Sequence, residues 1–254
     1  DTVMYTVGEA PGANIVQPVL GSIGDEGGAV LFSATVVDLE DTASDLGISW
    51  VSDRDGEFST LSANSDGTLN FYEYGLSRGA HTITLTVTDS HGLTTATSTT
   101  LMVNGVPTAP VMRFSPDPAQ TTDMLTAMID SPSVDPEGTV VTYDYVWTKD
   151  GLPFSETATN TLVSAYTAKG ETWRVSVTAT DGISTGTAGT AAITIQNTDP
   201  EVSVVTISPT PAKAGDPLAC AWSYSDTDGD ADVSMVVWSV DGVTVSTSPE
   251  IDSG

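Results

Sequence analysis

The sequence predicts an all-β chain of tandem β-sandwich domains arranged end to end, the last one incomplete. Three observations carry that prediction. An apolar stretch with one Trp recurs at Ile48-Ser49-Trp50, Tyr145-Val146-Trp147 and Val236-Val237-Trp238, and an Asp-Gly pair closes each copy at Asp55-Gly56, Asp150-Gly151 and Asp241-Gly242. The copies lie roughly 95 residues apart, the length of one small β-sandwich. Thr, Val and Ile alternate with polar residues in short runs cut by Gly, Pro, Asn and Asp, while Lys, Glu and Leu at helical spacing are absent.

Taken in order, residues 1–10 pattern as the last strand of a preceding repeat or as an N-terminal arm. Tyr5-Thr6-Val7-Gly8-Glu9-Ala10-Pro11 matches the later junctions Leu101-Met102-Val103-Asn104-Gly105-Val106-Pro107 and Ile193-Thr194-Ile195-Gln196-Asn197-Thr198-Asp199-Pro200. In each, a strand runs into a short polar turn and a Pro that stiffens the link. Boundaries near Pro11, Gly105 and Thr198 give a first repeat over 11–104, a second over 105–197 and a partial third over 198–254.

In the first repeat, Val30, Phe32, Ala34 and Val36 alternate on one face of an early strand, and Leu46, Ile48 and Trp50 on the next. Leu69 and Phe71 mark a middle strand; Ile83, Leu85 and Val87 alternate with threonines; residues 93–103 close the unit. Period-two alternation with one wet face is what a two-sheet sandwich demands, with each Trp at the centre of a core. The second repeat follows with an early strand over 124–129, of either inward register, then Val141, Tyr143, Tyr145 and Trp147 on one face, then Trp173, Val175, Val177 and Ala179. The third shows strands over 202–207 and 218–224 and the Trp238 hairpin, and by comparison its middle, alternating and last strands are missing. Either the chain is a segment of a longer array, or a strand from another molecule completes the third repeat. The segment reading fits better, because residues 1–10 supply one strand where several are missing.

Charge narrows the partners. Against 34 acidic residues stand 7 basic ones, for a net −27. Nucleic acid and anionic lipid both need a basic face, so neither is an expected partner. No apolar run approaches the roughly 18 residues of a membrane helix, and no signal peptide is visible. Cys220 is the one cysteine, which excludes an intrachain disulfide, and two histidines exclude a His-rich zinc site.

The acidic residues recur in place. The loop after the early strand carries Asp38, Glu40 and Asp41 in the first repeat, Asp130, Asp135 and Glu137 in the second, and Asp226, Asp228 and Asp230 in the third. A second acidic position, Asp89 and Asp181, ends the alternating strand. In a sandwich these loops share one end with the incoming linker, which brings Asn104 to the second cluster and Asn197 and Asp199 to the third. Carboxylates from separate loops with linker oxygens are the hard ligands that Ca²⁺ takes, six to eight at a time. The competing explanation is that Asp and Gly are good turn residues whose side chains cap their own backbone. The third cluster is not an EF-hand loop, since Ala231 and Val237 stand where that loop needs Gly and a bidentate Glu.

A catalytic reading is weaker. Asp89-Ser90-His91 holds the residue types of a serine triad, but adjacent turn residues cannot orient one another as nucleophile, base and acid. His81 reads as a surface residue. Carboxylates that return once per repeat point to architecture rather than to a glycosidase pair, so no enzyme is expected. Tyr72 and Tyr74 lie opposite Phe71 on their strand and so face outward, as a sugar-stacking surface would.

Val36-Val37-Asp38-Leu39-Glu40-Asp41, Ile48-Ser49-Trp50 and Gly79-Ala80-His81-Thr82-Ile83-Thr84-Leu85-Thr86-Val87-Thr88-Asp89 together resemble PKD-type and cadherin-like immunoglobulin-fold repeats. Such repeats stand in tandem in large extracellular proteins of bacteria and archaea, and the resemblance spans the chain in phase with its three Trp strands. The Trp-Asp-Phe-Gly-Asp-Gly run of typical PKD domains is absent. The resemblance implies calcium between repeats and a structural or adhesive segment of a cell-surface rod, adhesin or filament. Its partners would be neighbouring repeats, further copies, or a cell-surface glycan or protein. A spacer or carbohydrate-binding module of a secreted hydrolase is the alternative expectation.

Overall fold

The computed structural model describes residues 8–252, so most of the strand expected over residues 1–10 lies outside the described residues. The first repeat contributes β1 (Gly12–Gln17), β2 (Ser22–Asp25), β3 (Val30–Val37), β4 (Gly47–Ser52), β5 (Gly56–Ser59), β6 (Thr68–Glu73), β7 (Gly79–Thr88) and β8 (Thr94–Asn104). They pair as a three-stranded sheet β1-β3-β6 and a five-stranded sheet β2-β8-β7-β4-β5. The β2–β8 pairing is parallel, and β7 runs antiparallel to both β4 and β8.

Alternation decides what each strand buries. Ile83, Leu85 and Val87 of β7 are fully buried, and Phe32, Ala34 and Val36 of β3 meet them from the other sheet. Trp50 has no exposed surface and sets its edge against Phe32, with ring centroids 5.4 Å apart at 71°. Edge-to-face pairs of this kind add about 0.5–1.5 kcal/mol beyond the area they bury.

The second repeat supplies β9 (Val111–Ser115), β10 (Ala119–Gln120), β11 (Leu125–Ser131), β12 (Thr142–Lys149), β13 (Leu152–Phe154), β14 (Thr161–Leu162), β15 (Thr172–Thr180) and β16 (Gly189–Gln196). Its sheets, β14-β11-β9 and β10-β16-β15-β12-β13, repeat the order of the first pair. Of the two registers open for the early strand, Leu125 and Ala127 face inward while Met124 and Met128 are exposed. Trp147 is buried against Phe114 and Trp173, with centroids 5.6 and 6.5 Å away. The turn from β12 to β13 is Asp150-Gly151, with φ of 50° and 81° at its two residues. Positive φ at both positions is the two-residue hairpin turn that matches strand twist, and it is why Gly follows Asp there.

The third repeat contains β17 (Glu201–Ser208), β18 (Pro217–Ser225), β19 (Trp238–Val240), β20 (Val243–Ser246) and β21 (Glu250–Asp252). Here the structure corrects one expectation. The middle strand is present: β21 pairs with β18, as β6 pairs with β3 and β14 with β11. Its three residues were too few to register as an alternating run. Among the described residues β19 pairs only with β20, and Trp238 is half-buried rather than enclosed like Trp50 and Trp147.

The chain forms two compact units. One holds the described residues through Ala109 with Pro132–Tyr143 and Thr178–Ala188. The other holds Pro110–Ser131, Asp144–Val177 and the described residues from Gly189. Asp135, Glu137 and Asp181 of the second repeat therefore belong to the same unit as the first repeat and the Asn104 linker, whereas Asp130 belongs to the other. Among the described residues, no helix is long and apolar enough to cross a membrane.

Candidate cation-binding loops

Each leading aspartate divides its carboxylate between two tasks. Asp38 Oδ1 accepts the backbone N–H groups of Glu40 and Asp41 at 2.9 and 2.8 Å. Asp135 Oδ1 accepts those of Glu137 and Thr139 at 3.1 and 2.8 Å. Asp226 Oδ1 accepts that of Asp230 at 2.8 Å. So far this is the ordinary chemistry of turn aspartates. The other oxygen behaves differently. Asp38 Oδ2, Asp135 Oδ2 and Asp226 Oδ2 are all shielded from water with no hydrogen-bond partner. Asp135 as a whole is only 4% exposed. A buried carboxylate oxygen without a donor is costly, and in native structures such an atom calls for an explanation.

The second position and the linker close in on the Asp135 loop. Asp181 Oδ1 accepts the N–H groups of Ile183 and Ser184, each at 2.7 Å. The Ser184 N–H above all, with the Asn104 amide and Ile183 N–H adding to it against desolvation, holds the Asp181 carboxyl down to about 2. Asn104 is buried and gives its Nδ2 hydrogens to Asp181 Oδ2 (2.9 Å), Ser184 Oγ (2.5 Å) and the Gly105 carbonyl (2.9 Å). The Gly105 N–H donates to Glu137 Oε2 at 2.9 Å. Gly105 permits that approach, because a Cβ there would meet Arg78 Cδ and Pro136 Cγ at 2.9 Å.

The third loop repeats the linker contacts. Asn197 Nδ2 donates to the Thr198 carbonyl at 2.8 Å, and the Thr198 N–H donates to Asp228 Oδ2 at 2.7 Å. Asp228 Oδ1 also accepts the Thr121 hydroxyl at 2.5 Å. Asp230 is ion-paired with Lys169. Asp199 is exposed. In the first loop, Asp41 accepts the Ser90 N–H and hydroxyl at 2.7 and 2.9 Å, while Asp89 Oδ1 accepts the N–H groups of His91 and Leu93 at 2.8 Å. Asp130 stands in an ion pair with Arg113 at 2.5 Å. Among the described residues, no three side chains of His, Cys, Asp and Glu gather as a ready metal set. Asp38, Asp89, Asp135, Asp181 and Asp226 each commit Oδ1 to backbone N–H groups.

Two basic residues that the sequence reading passed over sit beside these loops. Arg78 precedes Gly79 and Lys169 precedes Gly170, each just before the long alternating strand of its repeat. Arg78 pairs with Glu26 at 3.3 Å and lines a cleft of about 420 Å³ with Arg54, Pro136 and Glu137. A basic-Gly pair at the same place in two repeats, in a chain with 7 basic residues, was the available signal.

In the Asp89-Ser90-His91 turn the Ser90 hydroxyl lies 3.3 Å from His91 Nδ1. The Ser90 hydroxyl donates to Asp41, and Asp89 caps backbone rather than the His91 ring. His81, expected at the surface, is 1% exposed. Its Nε2–H donates to the Ser77 carbonyl at 2.6 Å, and its Nδ1 accepts from the Ser52 hydroxyl at 2.8 Å. An imidazole hydrogen-bonded at both nitrogens, with Asp55 Oδ2 3.6 Å from Nδ1, can occupy an inward position of β7, where alternation predicts apolar residues.

Paired three- and five-stranded sheets, repeated along the chain, define tandem immunoglobulin-like β-sandwiches. No protein-family model matches the chain, and no curated protein does. Among solved structures, the I-band fragment of titin is 11% identical with a TM-score of 0.41, over 93% of this chain and 87% of that one. Fibronectin(III)-like modules of Clostridium thermocellum CbhA are 18% identical with a TM-score of 0.31, over 72% and 94%. The insect immune protein hemolin is 14% identical with a TM-score of 0.35, over 77% and 48%.

Proposed function

We propose that the chain is a structural or adhesive segment of an extracellular repeat protein, of the PKD-like or cadherin-like kind, whose repeat junctions are stiffened by calcium. The observation that carries this reading is the buried, partnerless Asp135 Oδ2 next to the Asn104-Gly105 linker. Asp135, Glu137 and Asp181 with the Asn104 linker would hold the ion there. Asp38, Glu40, Asp41 and Asp89 offer the corresponding set in the first repeat; in the third, Asn197, Asp199, Asp226, Asp228 and Asp230 are the corresponding residues, but Lys169 is already paired with Asp230. Calcium supplies two positive charges in an all-oxygen shell, and hard carboxylate and carbonyl oxygens suit it.

The chain's own residues define what that charge would do. Carboxylates fixed on separate loops repel one another, and a net −27 leaves few internal cations to offset them. Neutralising them at the linker restricts bending and adds stability by mass action. The role is mechanical and involves no catalysis. Partners are neighbouring repeats, further copies, or a glycan or protein of a cell surface. Limited proteolysis across residues 103–107 tests the reading: calcium should protect that linker, and equal cleavage with calcium and with chelator would contradict it.

Tyr72 and Tyr74, 59% and 61% exposed, favour a second reading as a carbohydrate-binding or spacer module of a secreted hydrolase. Tyr72 lies on β6 and Tyr74 just beyond its end, and exposed aromatic rings can stack on a sugar. Glycan binding that disappears in Tyr72→Ala would support it.

A further inference from the structure

Two acidic loops that look alike in sequence differ in how their charge is met. No Lys or Arg among the described residues forms an ion pair with Asp135, Glu137 or Asp181. Arg78, on the turn nearest that loop, is committed to Glu26 of its own repeat. In the third loop the equivalent turn sends a cation into the cluster: Lys169 Nζ pairs with Asp230 Oδ1.

We infer that Lys169 is the built-in counter-ion of the Asp226–Asp230 loop, filling the charge position that a divalent cation takes at the Asp135 loop. The second half of that statement rests on the calcium reading above; the role of Lys169 does not.

The Lys169 and Asp230 side chains are 40% and 43% exposed, and backbone contacts hold the turn that carries the lysine. The turn bearing it is held at both sides, by Gly170 N–H to the Ile195 carbonyl at 2.9 Å and Ala168 N–H to Glu171 Oε2 at 2.9 Å. The Lys169 ammonium donates to Asp230 Oδ1, at the end of the loop that begins at Asp226. The oxygens left for a metal are correspondingly few. Asp228 spends Oδ1 on Thr121 and Oδ2 on Thr198, Asp226 spends Oδ1 on Asp230 N–H, and Asp230 spends Oδ1 on Lys169. At the Asp135 loop the partnerless oxygen lies on a residue 4% exposed; Asp226 is half-buried. An ammonium and a divalent ion within a few ångströms repel, so one excludes the other.

The test is calcium titration calorimetry on the full chain, comparing wild type, Lys169→Gln, Lys169→Arg and the double variant Lys169→Gln/Asp226→Asn. Lys169→Gln should gain one calcium site, or bind about tenfold more tightly there. Lys169→Arg should match wild type, and the double variant should lose the gained site. Equal stoichiometry and affinity in wild type and Lys169→Gln would overturn the inference while leaving the calcium reading intact. A wild type that binds no calcium, beside a Lys169→Gln that binds it through Asp226, would do the reverse. Circular dichroism of each variant separates misfolding from lost binding, and Lys169→Met, which also removes the charge, takes the place of Lys169→Gln should that variant unfold.

Discussion

The Asn104 side-chain amide donates to Asp181 Oδ2 at 2.9 Å, joining the last residue of β8 to the loop after β15. It is the direct hydrogen bond from the linker to the second acidic position. Asn104→Ala removes it together with the bonds to Ser184 and Gly105, leaving Asp181 Oδ2 with one donor fewer. The expected cost is about 1–3 kcal/mol, read from urea unfolding. A change within error would mean that water replaces the amide.

The same carboxylate predicts a pH dependence. Its folded pKa of about 2 lies below the ordinary value of 3.8. Stability from the ionised form is thus fully present above the ordinary value and is lost as pH falls through the folded one. Melting temperatures of wild type should therefore decline below about pH 4, and the decline should be shallower in Asp181→Asn. Equal slopes would show that other carboxylates carry the effect.

Much of the fold was legible because β-strands expose their sidedness in sequence. Ile83, Leu85 and Val87 announced β7, and the Trp strands counted the repeats. What escaped were features set by contacts distant in sequence. His81 breaks the apolar pattern because Ser52 and Ser77 satisfy it. The strand β21 shows only by pairing with β18. At the site, Asp135 and Asp181 stood out as recurring acids, yet nothing local separates Asp130, which turns to Arg113, from Asp135, which does not. Lys169 shares only a following Gly with Arg78, and its pairing with Asp230 spans 61 residues of sequence.

The indole N–H groups give a contrast between repeats. Trp147 Nε1–H donates to the Thr159 carbonyl at 2.9 Å, whereas Trp50 Nε1 is buried without a partner. Trp147→Phe should therefore destabilise its repeat by about 1 kcal/mol more than Trp50→Phe does its own. Truncation to Ala should cost about 3–5 kcal/mol at either position. Chemical denaturation followed by near-ultraviolet circular dichroism checks the order; a larger loss from Trp50→Phe would contradict it.

Gly105 tests the packing of the linker. Gly105→Ala places a methyl 2.9 Å from Arg78 Cδ and Pro136 Cγ. Arg78 can swing away but the proline ring cannot, so a loss of about 1–3 kcal/mol is expected. Thermal unfolding measures it, and a neutral result would mean that the linker shifts freely.

The most direct test of calcium at the repeat junctions is differential scanning calorimetry of wild type and Asp135→Asn, each in excess calcium and in excess chelator. Calcium should raise the wild-type melting temperature, by the equivalent of about 2.7 kcal/mol at a hundredfold excess over the dissociation constant, and should raise that of Asp135→Asn much less. A wild-type melting temperature that is the same with calcium and with chelator would contradict the account.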